Sequence, residues 1–115
     1  MEGNRAEVEY SPLALTDLDA AWDWVETGSG SSRAAADVVA SIMARVDLLA
    51  TFPLSGTPLS SICGICTDYR FVSAAGYIAF YHTAPGKVRV DRVLSARSDY
   101  LRNLIPDAGD FDAWG

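Results

Sequence analysis

Polar and apolar residues alternate over positions 5–10, Arg-Ala-Glu-Val-Glu-Tyr, which predicts a short strand. From Ser11 the period changes. Leu15, Leu18, Trp22 and Val25 recur at three- and four-residue steps, so a first helix carries one apolar stripe. Ser11-Pro12 supplies its start, because a serine hydroxyl can accept from an orphan amide and proline is pre-set for the first helical position. Asp17 and Asp19 follow close to that positive helix end. The run Thr27-Gly28-Ser29-Gly30-Ser31-Ser32 stops it. A second helix starts near the last serine pair and carries Val38, Val39, Ile42, Val46 and Leu49 on one face. It ends at Thr51-Phe52-Pro53, since the residue before proline disfavours the helical region. Two amphipathic helices with a short connection imply an antiparallel hairpin.

Leu54 to Ile65 is rich in Ser, Gly, Pro and Thr and reads as a loop. Beyond it the pattern becomes extended. Residues 69–73, 77–83 and 88–94 are rich in β-branched and aromatic side chains, separated by Ala74-Ala75-Gly76 and Ala84-Pro85-Gly86. Pro85-Gly86 suits the central positions of a type II turn. The middle segment is apolar on both parities, Ile78 and Phe80 against Tyr77, Ala79 and Tyr81, which predicts a central strand covered on both sides. Asp99 to Ile105 reads as a short final helix stopped by Pro106. The order β-α-α-β-β-β, with that possible last helix, defines an α+β domain with helices packed on one face of a small antiparallel sheet. One domain fills 1–115, with its core over about residues 5–105 and an acidic tail at 107–115.

Composition narrows the class. The chain has 115 residues, half of them hydrophobic, with a formal charge of -6. That apolar content excludes disorder as the main state. The uncharged run 48–67 is broken by Pro53, Gly56 and Pro58, so it is not a membrane helix. The opening Met1-Glu2-Gly3-Asn4-Arg5 has no leader pattern, and a cytoplasmic protein is expected. Charge is polarised: residues 1–60 carry three cations against nine anions, whereas 61–106 carry Arg70, Lys87, Arg89, Arg92, Arg97 and Arg102 against Asp68, Asp91 and Asp99. The acidic total argues against a generic nucleic-acid binder, but a cationic sheet face that meets an anionic partner stays open.

Tyr69-Arg70-Phe71-Val72, then Gly76 to Tyr81, then Val88 to Tyr100 with Arg92-Val93-Leu94, Arg97 and Asp99, resembles the C-terminal half of the RelE/ParE toxins of type II toxin–antitoxin systems. The spacing of Arg70 to Tyr77, the pair Phe80-Tyr81 and the element order over roughly 5–105 carry the resemblance. Ser95 stands where many members have His. The resemblance implies a ParD-like antitoxin as partner, and one of two targets: DNA gyrase for ParE-like members, or the ribosome and its mRNA for RelE-like ribonucleases. It also leaves open a non-toxic binding module on the same scaffold. The antitoxin would lay a helix along apolar grooves beside the helices or cover the basic sheet face.

Cleavage by 2′-hydroxyl attack needs a base, an acid and cations for the phosphorane. Arg70 and Arg97 match phosphate-contacting positions of RelE-like members, with His82 and Tyr100 as the remaining proton-transfer candidates. The RelE-like pattern wants a tyrosine at position 103, which is Asn here. The gyrase reading is therefore favoured, without catalysis. Its target-binding candidates are Arg70, Tyr77, Tyr81, Arg92 and Arg97. His82 also reads as a satisfied sheet histidine. Arg92, on the parity of Val88 and Val90, needs a carboxylate from a helix or a wet groove. Cys63-Gly64-Ile65-Cys66 supplies too few ligands for zinc and sits wrongly for a redox motif, so ordinary reduced cysteines, no metal and no cofactor are expected. Trp22 lies on the helical stripe; Trp24, two residues on, is either exposed or packed on a neighbouring element. Either a homo-oligomer or a toxin–antitoxin hetero-oligomer is compatible with the chain.

Overall fold

The computed structural model describes residues 5–63 and 68–96. Strand β1 (Glu7–Tyr10) leads into α1 (Pro12–Ser29) and α2 (Ser32–Asp47), which ends in a 3-10 turn at Leu48–Ala50. Then come β2 (Thr57–Pro58), α3 (Ser60–Cys63), β3 (Arg70–Ala74), β4 (Tyr77–Ala84) and β5 (Lys87–Ser95). The final helix expected at 99–105 and the acidic tail lie outside the described residues.

Local chemistry accounts for the helix ends. Ser11 caps α1, its hydroxyl accepting from Ala14 N at 3.0 Å with Pro12 next in line. Gly30 closes the helix in the left-handed region at φ 69°, and its N–H donates to Glu26 O. Ser31 caps α2 at once by accepting from Ala34 N. The hairpin connection is therefore two residues, tighter than the Gly/Ser run suggested.

The sheet runs β1-β5-β4-β3-β2. β2 to β5 pair antiparallel, as the meander predicts, but β1 pairs parallel with β5, so the sheet is mixed. A parallel neighbour needs a long crossover, and the helical hairpin begins that excursion. The stretch expected as loop over 54–65 also corrects itself: Thr57–Pro58 adds an edge strand to β3, and a four-residue helix follows. A two-residue strand with proline at the edge leaves no alternation to read in the sequence.

β4 is central and covered on both faces. Toward the helices, Ala79 and Tyr81 pack with Val88, Val90 and Val93 of β5 and with Leu18, Ile42, Val46 and Leu49. On the other face Ile78, Phe80, Phe71, Leu94 and Ala96 form a second cluster, against which Leu59 packs. The face that α1 buries differs from the stripe expected. Ala14, Leu18 and Ala21 point inward, whereas Leu15 is exposed and Trp22 only half-buried. Alanines let the helix approach the sheet closely, so its core line falls one position off the larger side chains.

A bulge in the β4–β5 ladder sets the remaining geometry. Phe80 pairs with Arg92 and its neighbour Tyr81 with Val90, leaving Asp91 as an extra residue. The extra residue breaks simple alternation. Arg92 therefore stands opposite Phe80 instead of sharing the face of Val88 and Val90, as its parity had suggested.

Candidate functional site

The residues singled out in the sequence fall into three groups around the sheet. The first surrounds loop 51–56. Tyr81 is fully buried, and its hydroxyl donates to Pro53 O at 2.8 Å and accepts from Gly56 N at 3.0 Å. Burial pushes this phenol up, against the opposing pull of the Gly56 amide and the Arg70 and Arg45 charges. Arg70 Nη1 donates to Leu54 O at 3.2 Å and to Gly56 O at 2.9 Å. Both side chains reach the loop because Arg70 and Tyr81 are direct cross-strand partners.

The second group is on the sheet face away from the helices. His82 Nδ1 meets Asp91 Oδ2 at 2.6 Å, and the Tyr69 ring stands edge-on to the imidazole at 5.5 Å. Burial first, then the Asp91 charge and a hydrogen bond to that carboxylate, raise the Tyr69 pKa. Beside them Lys87 and Arg89 both approach Glu9, at 3.3 and 3.8 Å. The cationic sheet face expected from the sequence is thus largely neutralised, because β1 brings its glutamates alongside β5.

The third group joins α1 to β5. Asp17 accepts two bonds from the Arg92 guanidinium, at 2.8 and 3.0 Å, and a third from Val93 N at 2.9 Å. Arg92 is thus in a bidentate ion pair with a helix acid. Next to it, a largely apolar groove of about 530 Å³ is lined by Ala20, Ala21 and Trp24 of α1 and by Tyr77, Val93 and Leu94. Trp24 is 76% exposed at its rim, so it is the free aromatic of the two readings. Half-burial in this groove pushes the Tyr77 phenol up.

The fold brings Arg70 and Tyr81 together on one loop and separates them from His82, Arg92 and Tyr77. Arg97, Tyr100 and Cys66 lie outside the described residues, as does the side chain of Cys63. Among the described residues, no group of three His, Cys, Asp or Glu side chains comes together to hold a metal. Sequence reading missed Asp17, whose spacing marks it only as a helix-start acid. It also missed Gly56, where an added Cβ would lie 2.4 Å from the Tyr81 hydroxyl and 2.9 Å from Phe71 O.

The family described as the ParE toxin of the type II toxin–antitoxin system parDE matches residues 8–100. Among solved structures, the chromosomal ParDE system from P. aeruginosa contains a chain similar over 80% of this chain and 97% of its own, at 18% identity and a TM-score of 0.67. That likeness supports the fold. The E. coli DinJ–YafQ toxin–antitoxin complex is more distant, at 15% identity and a TM-score of 0.48 over 79% of this chain and 92% of that one. No curated protein matches the chain. With nearly all of the described residues inside the family match, and the α+β architecture the same, the chain belongs to the ParE toxin family of type II toxin–antitoxin systems.

Proposed function

We propose that this chain inhibits DNA gyrase by binding it, without catalysis, and that a ParD-like antitoxin neutralises it. The observation that carries this reading is the use made of Arg70 and Tyr81. Arg70 turns Nη1 to two backbone carbonyls, so its guanidinium holds the loop in place while Nε and Nη2 keep its charge at the surface. The Tyr81 hydroxyl is closed between Pro53 and Gly56 and meets no solvent. Both side chains build a surface. The antitoxin takes the groove beside Trp24, where apolar lining and an open rim suit the anchors of an amphipathic helix.

One observation favours a second reading. His82 held through Nδ1 by a carboxylate is the arrangement that fixes a tautomer and offers the other ring nitrogen as a base. That would serve a RelE-like ribonuclease acting on ribosome-bound mRNA. The two readings separate in one comparison. Purified chain should block gyrase supercoiling and leave ribosome-bound message whole, and His82→Gln should inhibit as well as the parent. Message cut at defined codons, with cutting lost in His82→Gln and gyrase unaffected, overturns the gyrase reading.

A further inference from the structure

Loop 51–56 is held more firmly than a surface loop requires. Phe52 N donates to Leu48 O at 3.0 Å and Ser55 N to Phe52 O at 3.1 Å. Tyr81 and Arg70 fix the carbonyls of Pro53, Leu54 and Gly56 from beneath. Arg5 Nη1 donates to Thr51 Oγ1 at 2.9 Å from the other end. Close packing under Gly56 leaves no room even for a methyl group. What this scaffold displays is apolar: Leu48, Phe52 and Leu54 are 54%, 60% and 63% exposed. Apolar side chains held in water on an ordered backbone mark an interaction surface, because the ordering entropy of binding has already been met.

The charges around this loop set it apart from the rest of the molecule. Lys87 and Arg89 approach Glu9, and Arg92 is paired with Asp17. Among the described residues no carboxylate pairs with Arg5, Arg45 or Arg70, and these three border the loop. Arg5 touches Thr51, Arg70 touches Leu54 and Gly56, and Arg45 lines a small cleft with Ser55, Gly56 and Thr57. In a chain of net charge -6, three of the four described cations without an acid partner border this loop, the fourth being Arg33 at the start of α2.

We infer that Phe52 and Leu54, framed by Arg5, Arg45 and Arg70, are the surface with which this chain grips its protein target, and that the matching surface is an apolar cleft edged by Asp or Glu. The inference rests on the gyrase reading above and names the part of the chain that does the gripping. Apolar anchors supply the affinity and the arginines the orientation, since arginine forks match carboxylates. A second copy of this chain fits less well, because it would set the same three cations against each other. Arg70 and Tyr81 enter as positioning residues, acting through the loop.

The test is supercoiling inhibition by the 115-residue chain and three variants. Phe52→Ser combined with Leu54→Ser should raise the half-inhibitory concentration at least about tenfold, as loss of interface anchors does. Far-UV circular dichroism and melting should be unchanged. Arg5→Glu combined with Arg45→Glu should weaken inhibition as well, and Leu15→Ser, on the distant face of α1, should not. If wild type inhibits and the Phe52/Leu54 variant inhibits equally, the assignment falls while the gyrase reading stands. If wild type leaves gyrase untouched, both fall. A wild-type dimer that the Phe52/Leu54 variant converts to monomer gives the loop to a second copy and overturns the assignment.

Discussion

Tyr81 shows how a residue chosen for its chemistry can be held by its surroundings. Its hydroxyl serves two backbone groups of loop 51–56 inside a fully buried pocket. Tyr81→Phe leaves the Gly56 amide and the Pro53 carbonyl short of a partner, and unmade buried bonds of this kind cost about 1–3 kcal/mol each. Denaturant unfolding should show a loss of about 2–6 kcal/mol for the two groups together, with weaker gyrase inhibition at the same protein concentration. Gly56→Ala should destabilise further, because the new methyl meets the tyrosine ring and a backbone oxygen instead of a flexible chain end. Tyr10 gives the opposite case. Its hydroxyl is buried with no partner among the described residues, and burial, helped by the Asp47 charge, pushes its pKa up to about 12. Tyr10→Phe should therefore be neutral or stabilising by up to about 1 kcal/mol in urea melts at pH 7. The pH dependence has a fixed sign. A phenol that ionises at 10 when unfolded and about 12 when folded favours the folded state up to pH 10, and that contribution is lost as pH rises toward 12. Thermal melts across this range should fall less steeply in Tyr10→Phe than in the parent.

At the scale of elements, the junction between α1 and β5 determines how the helical layer sits. Ser11 N donates to Val90 O, and its hydroxyl donates to Asp91 O while accepting from Ala14 N. Six residues on, Asp17 closes the β5 edge by taking both Arg92 and the Val93 amide. Breaking one side of a mostly desolvated ion pair strands the other charge, so Asp17→Ala should cost about 2–4 kcal/mol by equilibrium unfolding. Asp17→Ala with Arg92→Met should recover part of that loss. What the sequence told in advance follows the same division. The helices and the three-stranded meander were legible because periodicity repeats over many residues: Ile42, Val46 and Leu49 on one side, both parities of β4 on the other. The edge strand at Thr57–Pro58 and the bulge at Asp91 were not, since each is defined by its partner strand. The partners of Arg92 and Arg70 lie 75 and about 15 residues away, one a side chain and the other a pair of backbone carbonyls, so no spacing rule exposes them. Of the two readings open for Arg92, a helix carboxylate or a wet groove, the structure shows the carboxylate, and Asp17 could be named only with the fold in hand.

For the whole molecule, the charge of -6 hides a sorted arrangement. Acids of β1 and α1 approach or pair with the cations of β5, and the arginines around loop 51–56 stay open to an anionic partner. Inhibition should weaken as salt is raised from about 0.05 to 0.5 M, because exposed charges are screened over shorter distances. Titration of the chain against a fixed, known concentration of active gyrase tests the central claim most directly, with supercoiling and intact ribosome-bound message followed in parallel. A binding toxin predicts inhibition that saturates near one chain per target site, with the message uncut. Loss of message at chain concentrations far below those of ribosome and gyrase, with supercoiling unaffected, would mean turnover and contradict the account.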